Sequence, residues 1–171
     1  PISCKGNASM TQSLSPITHH STQLLSGEAL PELIRDLLSQ GKECRFQAKG
    51  YSMSPFIKDG DIVTIAPLER SSFYIGDVVA FIHPDSEKLI IHRIVGKKDN
   101  DYHVRGDNAL EADGLVQAKK IFGYVKRVER NGKNIRIGLG PERLIIAFLT
   151  RKGLLFPILS PLWKIVRPLI K

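Results

Sequence analysis

Between Cys44 and Ile137 the chain is written as short runs of β-branched and aromatic residues, each closed by Gly, Asp, Asn or Pro. That rhythm limits the fold more than any other feature, because runs so short and so punctuated suit strands rather than long helices. The runs are Cys44 to Ala48, Ile62 to Ile65, Asp77 to Ile82, Leu89 to Val95, Tyr102 to Val104 and Ile121 to Arg130. Asn131-Gly132 falls between Tyr124 to Val128 and Asn134 to Ile137. Such a pair between two such runs specifies a tight hairpin, since both central positions need φ > 0. The expectation is a mainly β domain with a closed or half-closed sheet.

Helices are expected on either side of it. From Glu28 to Gln40, Leu30, Leu33, Ile34, Leu37 and Leu38 fall on one stripe, with Pro31 in the first turn and Gly41 just past the end. Residues 1–26 carry no apolar periodicity and read as a loose tail, in which His19-His20 is solvated rather than metal-binding. The catalytic or binding domain is therefore expected over 27–139, and a basic helical segment over 140–171. Pro141 opens a helix carrying Leu144, Ile145, Phe148 and Leu149, and Gly153 ends it. Ser160 and Pro161 suit the N-cap and first position of another. In that second helix Leu162, Ile165, Val166 and Leu169 oppose Lys164, Arg167 and Lys171, with Trp163 near the boundary. Two readings stay open: a helix lying in a membrane interface, or one docked on the β domain with its charges in water.

Charge is distributed unevenly. The 171 residues carry a formal charge of +8, of which +5 belongs to residues 140–171. A basic end can face anionic lipid, nucleic acid or water. Its placement on amphipathic helices, rather than among aromatics on a sheet, argues against nucleic acid. No run is long enough to span a bilayer, which takes about 20 apolar residues. The two cysteines, Cys4 and Cys44, make no disulfide framework and no zinc-type cluster, and are expected as reduced thiols. The chain begins at Pro1. Met10 as the natural start and a preceding upstream segment are both compatible with that.

Chemistry is concentrated in an ordered series of blocks. Gly50-Tyr51-Ser52-Met53-Ser54-Pro55 follows a strand-like segment, and Asp59-Gly60-Asp61 precedes the next. Gly76-Asp77 opens a third, Ile91-His92-Arg93-Ile94-Val95 lies in a fourth, Gly106-Asp107-Asn108 makes a turn, and Ile121-Phe122-Gly123-Tyr124-Val125 closes the set. A serine is a useful nucleophile only beside a base and oxyanion donors. Histidine suits the base, because an ordinary imidazole is mostly neutral at about pH 7.

This series, from about Lys49 to Val125, resembles the type I signal peptidases. It is most similar to the archaeal and endoplasmic-reticulum branch, which has histidine where bacterial enzymes have lysine. The LexA-like self-cleaving repressors share the same β fold. The resemblance implies a LexA/signal-peptidase-like β domain with Ser52 as nucleophile and His92 as general base. It implies Asp113 as the carboxylate orienting His92 and Asp107 as a brace for the turn or the site. Gly50 and Met53 would shape the oxyanion and substrate-binding surface, with backbone amides near Ser52 as the donors. Ser54, His83 and His103 are expected to be loop or surface residues.

The function implied is that of a serine endopeptidase acting on an extended peptide or preprotein, bound as an added strand, with no metal and no cofactor. Two alternatives use the same fold: a LexA-like self-processing regulator and a non-catalytic binding module. The chain shows neither a helix-turn-helix unit ahead of the β domain nor the membrane anchor usual in signal peptidases. Peripheral contact of 140–171 with an anionic membrane surface, or a cytoplasmic location, is accordingly expected.

Overall fold

The computed structural model describes residues 3–5, 29–68, 72–83, 86, 88–109, 111–155 and 157. The expected second C-terminal helix, His19-His20 and most of the expected tail lie outside the described residues. The elements, in order, are β1 (Ser3–Lys5), α1 (Ala29–Ser39), β2 (Glu43–Gln47), β3 (Ile62–Ala66), β4 (Val78–Ile82), β5 (Leu89–Lys98), β6 (Asp101–Arg105), β7 (Gly114–Gln117), a 3-10 turn (Ala118–Lys120), β8 (Ile121–Arg130), β9 (Lys133–Ile135) and α2 (Arg143–Lys152).

All nine strands form one antiparallel sheet in the order β1-β2-β3-β8-β4-β5-β6-β7, with β9 paired to β8. The mainly β fold with flanking helices is thus what the punctuated pattern specifies. The β8–β9 hairpin turns at Asn131 and Gly132, with φ of 51° and 74°, and pairs Arg130 with Lys133. Both residues sit in the left-handed region that the type I′ turn requires.

β4 lies between β8 and β5, and its side chains alternate between two cores. Val78 and Ala80 join Ile34, Leu38, Met53, Val63, Ile65, Val125 and Val128 beneath α1. Val79 and Phe81 join Phe73, Ile94, Tyr102, Val104, Val116 and Ile121 on the other face. A strand covered on both faces has no polar alternate positions, which is why the run Val78 to Phe81 is continuously apolar. On α1 the stripe buries Ile34 and Leu38 and leaves Leu33 on the rim. The helix ends as Gly41 adopts φ +74° and donates to the Leu38 carbonyl, while the Lys42 amide donates to Leu37.

Two expectations change. The tail expected over residues 1–26 contains a strand, Ser3–Lys5, paired with Glu43–Arg45. An edge strand of three residues is held by backbone hydrogen bonds, so it leaves no apolar period to read. The folded unit also continues past the boundary expected at 139, since α2 buries Ile146, Ala147 and Thr150 against the domain and ends at Gly153 with φ 68°. Among the described residues no helix is long and apolar enough to cross a membrane.

Candidate active site

The Ser52 segment is a loop pinned at its neck. The Ala48 amide donates to the Asp61 carbonyl at 2.7 Å, and the Gly60 amide returns to the Ala48 carbonyl at 3.0 Å. Gly50, at φ +94°, makes the turn into the loop, and its N–H donates to Asp59 Oδ1 at 2.8 Å. Met53 and Ile57 drop into the α1-side core, with the Phe56 and Ile57 amides both donating to the Met53 carbonyl. Ser52 itself is exposed, carried on this anchored loop.

Asp61 fixes the far side of the neck. Its carboxylate takes two hydrogen bonds from Arg130 at 2.8 Å each and one from the Lys58 amide at 2.8 Å, and Arg130 also donates to the Phe56 carbonyl. Burial pushes the Asp61 pKa up, but the Arg130 hydrogen bonds and charge, with the Lys58 amide, outweigh it and hold the carboxyl below its usual range.

β5 supplies two successive side chains to opposite faces of the sheet. His92, buried, turns its Nδ1 to Asp113 Oδ2 at 2.5 Å. Arg93, with no exposed surface, grips Asp107 through Nε at 2.8 Å and Nη2 at 2.7 Å, and donates from Nη1 to the carbonyls of Gly76 and Gly138 at 2.8 Å each. Thr150 of α2 donates to Asp107 Oδ1 at 3.1 Å. The two aspartates are therefore separated in use: Asp113 faces the imidazole, and Asp107 is locked in the interior.

Asp107 belongs to the turn that closes the site. From that turn the Asn108 amide donates to the Ser52 carbonyl at 2.7 Å, and its side-chain amide to the Tyr51 carbonyl at 3.3 Å. Gly106 packs between the two halves. A Cβ there would lie 2.8 Å from the Ser52 carbonyl oxygen and 2.9 Å from His92 Nε2, both closer than real Cβ contacts come. The serine backbone and the imidazole edge thus approach each other across a residue that must be glycine. Gly106 and Asn108 stand in the Gly-Asp-Asn turn that the motif series includes, but their contacts to the Ser52 loop were not legible there, and Thr150 was not singled out at all.

A cleft of about 710 Å³ brings together Ser52, Gly50, Met53 and His92 from the expected set, with Phe46, Lys49, Leu89 and Ile91 among its other walls. Gly50 shapes this wall. Its amide, however, is taken by Asp59, so it is not one of the expected oxyanion donors. Met53 is buried beneath the cleft. β5 pairs with β6 only from Arg93 onward and β2 pairs with β1 only through Arg45, so Leu89 to Ile91 and Phe46 to Gln47 line the cleft with strand edges that have no partner strand among the described residues. Ser54 is half-buried in the loop and His103 half-buried on β6, but His83 reaches the site, with its Nε2 3.8 Å from Asp113 Oδ1.

No curated protein sequence matches the chain. Residues 15–128, well over half of its length and spanning every catalytic candidate, match the family model for Peptidase S24-like proteins. The Ser52 loop, the His92–Asp113 imidazole–carboxylate pair and the strand-edged cleft fall within that match, and the chain belongs to the Peptidase S24-like family.

Proposed function

We propose that this chain is a serine endopeptidase of the signal peptidase type, with Ser52 as nucleophile, His92 as general base and Asp113 as the carboxylate that orients it. The observation that carries the proposal is the His92 Nδ1–Asp113 contact at 2.5 Å, on an imidazole whose Nε2 edge faces Gly106 and the Ser52 loop across one shared cleft. A carboxylate at Nδ1 holds the proton there and leaves Nε2 with a lone pair to accept one.

In this mechanism Ser52 Oγ attacks the scissile carbonyl carbon while its proton passes to His92 Nε2. Asp113 stabilises the resulting imidazolium, and backbone amides near Ser52 receive the oxyanion. His92 then gives the proton to the leaving amine, and water hydrolyses the acyl-enzyme by the same route in reverse. The substrate enters extended and adds to the exposed edges of Phe46 to Gln47 and Leu89 to Ile91, so that main-chain hydrogen bonds hold it and small side chains flank the cut. Asp107 works through structure, holding the turn that seats Ser52.

Incubation with extended peptides carrying small residues at the cleavage position tests the reading. Cleavage by the parent chain, lost in both Ser52→Ala and His92→Ala, is the expected result. Equal cutting by either variant overturns it. Cleavage confined to the chain's own backbone identifies a self-processing regulator instead.

A further inference from the structure

α2 is built with its bulk on the outside. Its inward face is Ile146, Ala147 and Thr150, all buried, whereas Leu144, Ile145 and Phe148 are 56%, 65% and 59% exposed. Apolar side chains of that size normally turn inward, and isolated exceptions need no explanation. These are not isolated. Of the ten exposed large apolar side chains among the described residues, six lie on α2 or on segments adjoining it. Leu154 follows its last turn. Ile137 precedes Gly138, whose amide is tied to Glu142, and Ile75 precedes Gly76, which is pressed against Arg143.

Basic side chains predominate around this ridge. Residues 131–155 hold five basic residues and a single acidic one, Glu142. Glu142 is turned back to accept the Gly138 and Gly140 amides, and those hydrogen bonds with its own amide hold its carboxyl below the usual range. Arg136, Arg151 and Lys152 are exposed. The surface is therefore a convex apolar ridge bordered by cations. A peptide partner calls for a groove, while a ridge of this kind matches the boundary between acyl chains and anionic headgroups.

We propose that the outward face of α2 docks on an anionic lipid bilayer surface, with Leu144, Ile145 and Phe148 inserted at headgroup level and Arg151 and Lys152 paired with lipid phosphates. The same helix donates from Thr150 to Asp107, in the turn that seats Ser52. The inference does not depend on the peptidase reading, because none of Leu144, Ile145, Phe148, Arg151 and Lys152 takes part in the proposed catalysis.

Flotation of the full chain with vesicles tests it. Binding is expected to phosphatidylcholine vesicles containing phosphatidylglycerol, weaker at high salt, and little to phosphatidylcholine alone. The double substitution Ile145→Glu with Phe148→Glu, at exposed positions, is expected to weaken binding on the order of tenfold or more while leaving circular dichroism unchanged. Arg151→Glu with Lys152→Glu is expected to weaken binding and flatten its salt dependence. Absence of binding to the anionic vesicles, or either double variant binding like the parent, overturns the proposal. So does a concentration-dependent dimer that the first double variant abolishes while no vesicle binding is seen, since the ridge would then belong to a second copy.

Discussion

Arg93 and Asp107 meet fork to fork at the turn that seats Ser52, Nε to Oδ1 at 2.8 Å and Nη2 to Oδ2 at 2.7 Å, with both side chains fully shielded from solvent. Geometry this complete satisfies both groups, but it also makes each dependent on the other. Arg93→Met leaves a buried carboxylate without its guanidinium partner and is expected to cost about 3–5 kcal/mol in urea unfolding. Adding Asp107→Leu to Arg93→Met is expected to recover part of that loss, because no buried charge remains. A double variant as unstable as Arg93→Met alone would show that the charge pair is not the source of the loss.

Gly106 offers a sharper probe of the site than either aspartate. A methyl group there meets the Ser52 carbonyl at 2.8 Å and His92 Nε2 at 2.9 Å, and something must shift. Moving the imidazole or the serine loop by a few tenths of an ångström spoils the alignment on which proton transfer depends. Gly106→Ala is expected to lower kcat by roughly a hundredfold with the native circular dichroism retained. Activity equal to the parent's would mean that Ser52 and His92 do not need their present separation.

The fold was legible where local chemistry decides the backbone. Asn131-Gly132 has only one good use between two strands, and Gly41 and Gly153 mark helix ends by the positive φ they adopt. β7 was not legible, because Gly114–Gln117 buries only Val116 and so shows no alternation. The α2 ridge shows a deeper limit. Periodicity reveals that Leu144, Ile145 and Phe148 lie on one side of a helix, but not that Ile146, Ala147 and Thr150 form the side that packs. In the site, Ser52 and His92 stand in recognisable motifs, whereas Thr150 meets Asp107 from 43 positions away, through a hydrogen bond no short motif encodes.

Asp113 and Asp107 should separate cleanly by experiment. Asp113→Asn keeps the shape but puts an amide against His92 Nδ1, favouring the wrong tautomer, and in serine triads this change costs about 10⁴ in kcat. A loss of that order is expected here, with little change in the urea midpoint, since Asp113 is only partly buried. Asp107→Asn is expected to show its main effect in the urea midpoint, because its partner Arg93 is wholly interior. If Asp113→Asn retains parental kcat, Asp113 is not the orienting carboxylate.

The Asp61–Arg130 clasp predicts how the Ser52 loop responds to acid. The folded-state pKa of Asp61 lies below its ordinary 3.8, because the hydrogen bonds and charge of Arg130 outweigh burial. A carboxylate with a depressed pKa contributes stability that is fully present above the unfolded value and lost as pH falls through the folded one. Asp61→Asn is therefore expected to be less stable than the parent from about pH 7 down to about pH 4, and the difference should shrink below that. Urea midpoints of the two proteins across that range provide the measurement. Glu142, also depressed, titrates with the same sign in both proteins and cancels in the comparison. A gap between parent and variant that stays constant down to about pH 2 would mean the clasp does not titrate with Asp61, and that the loop neck is held by its backbone hydrogen bonds instead.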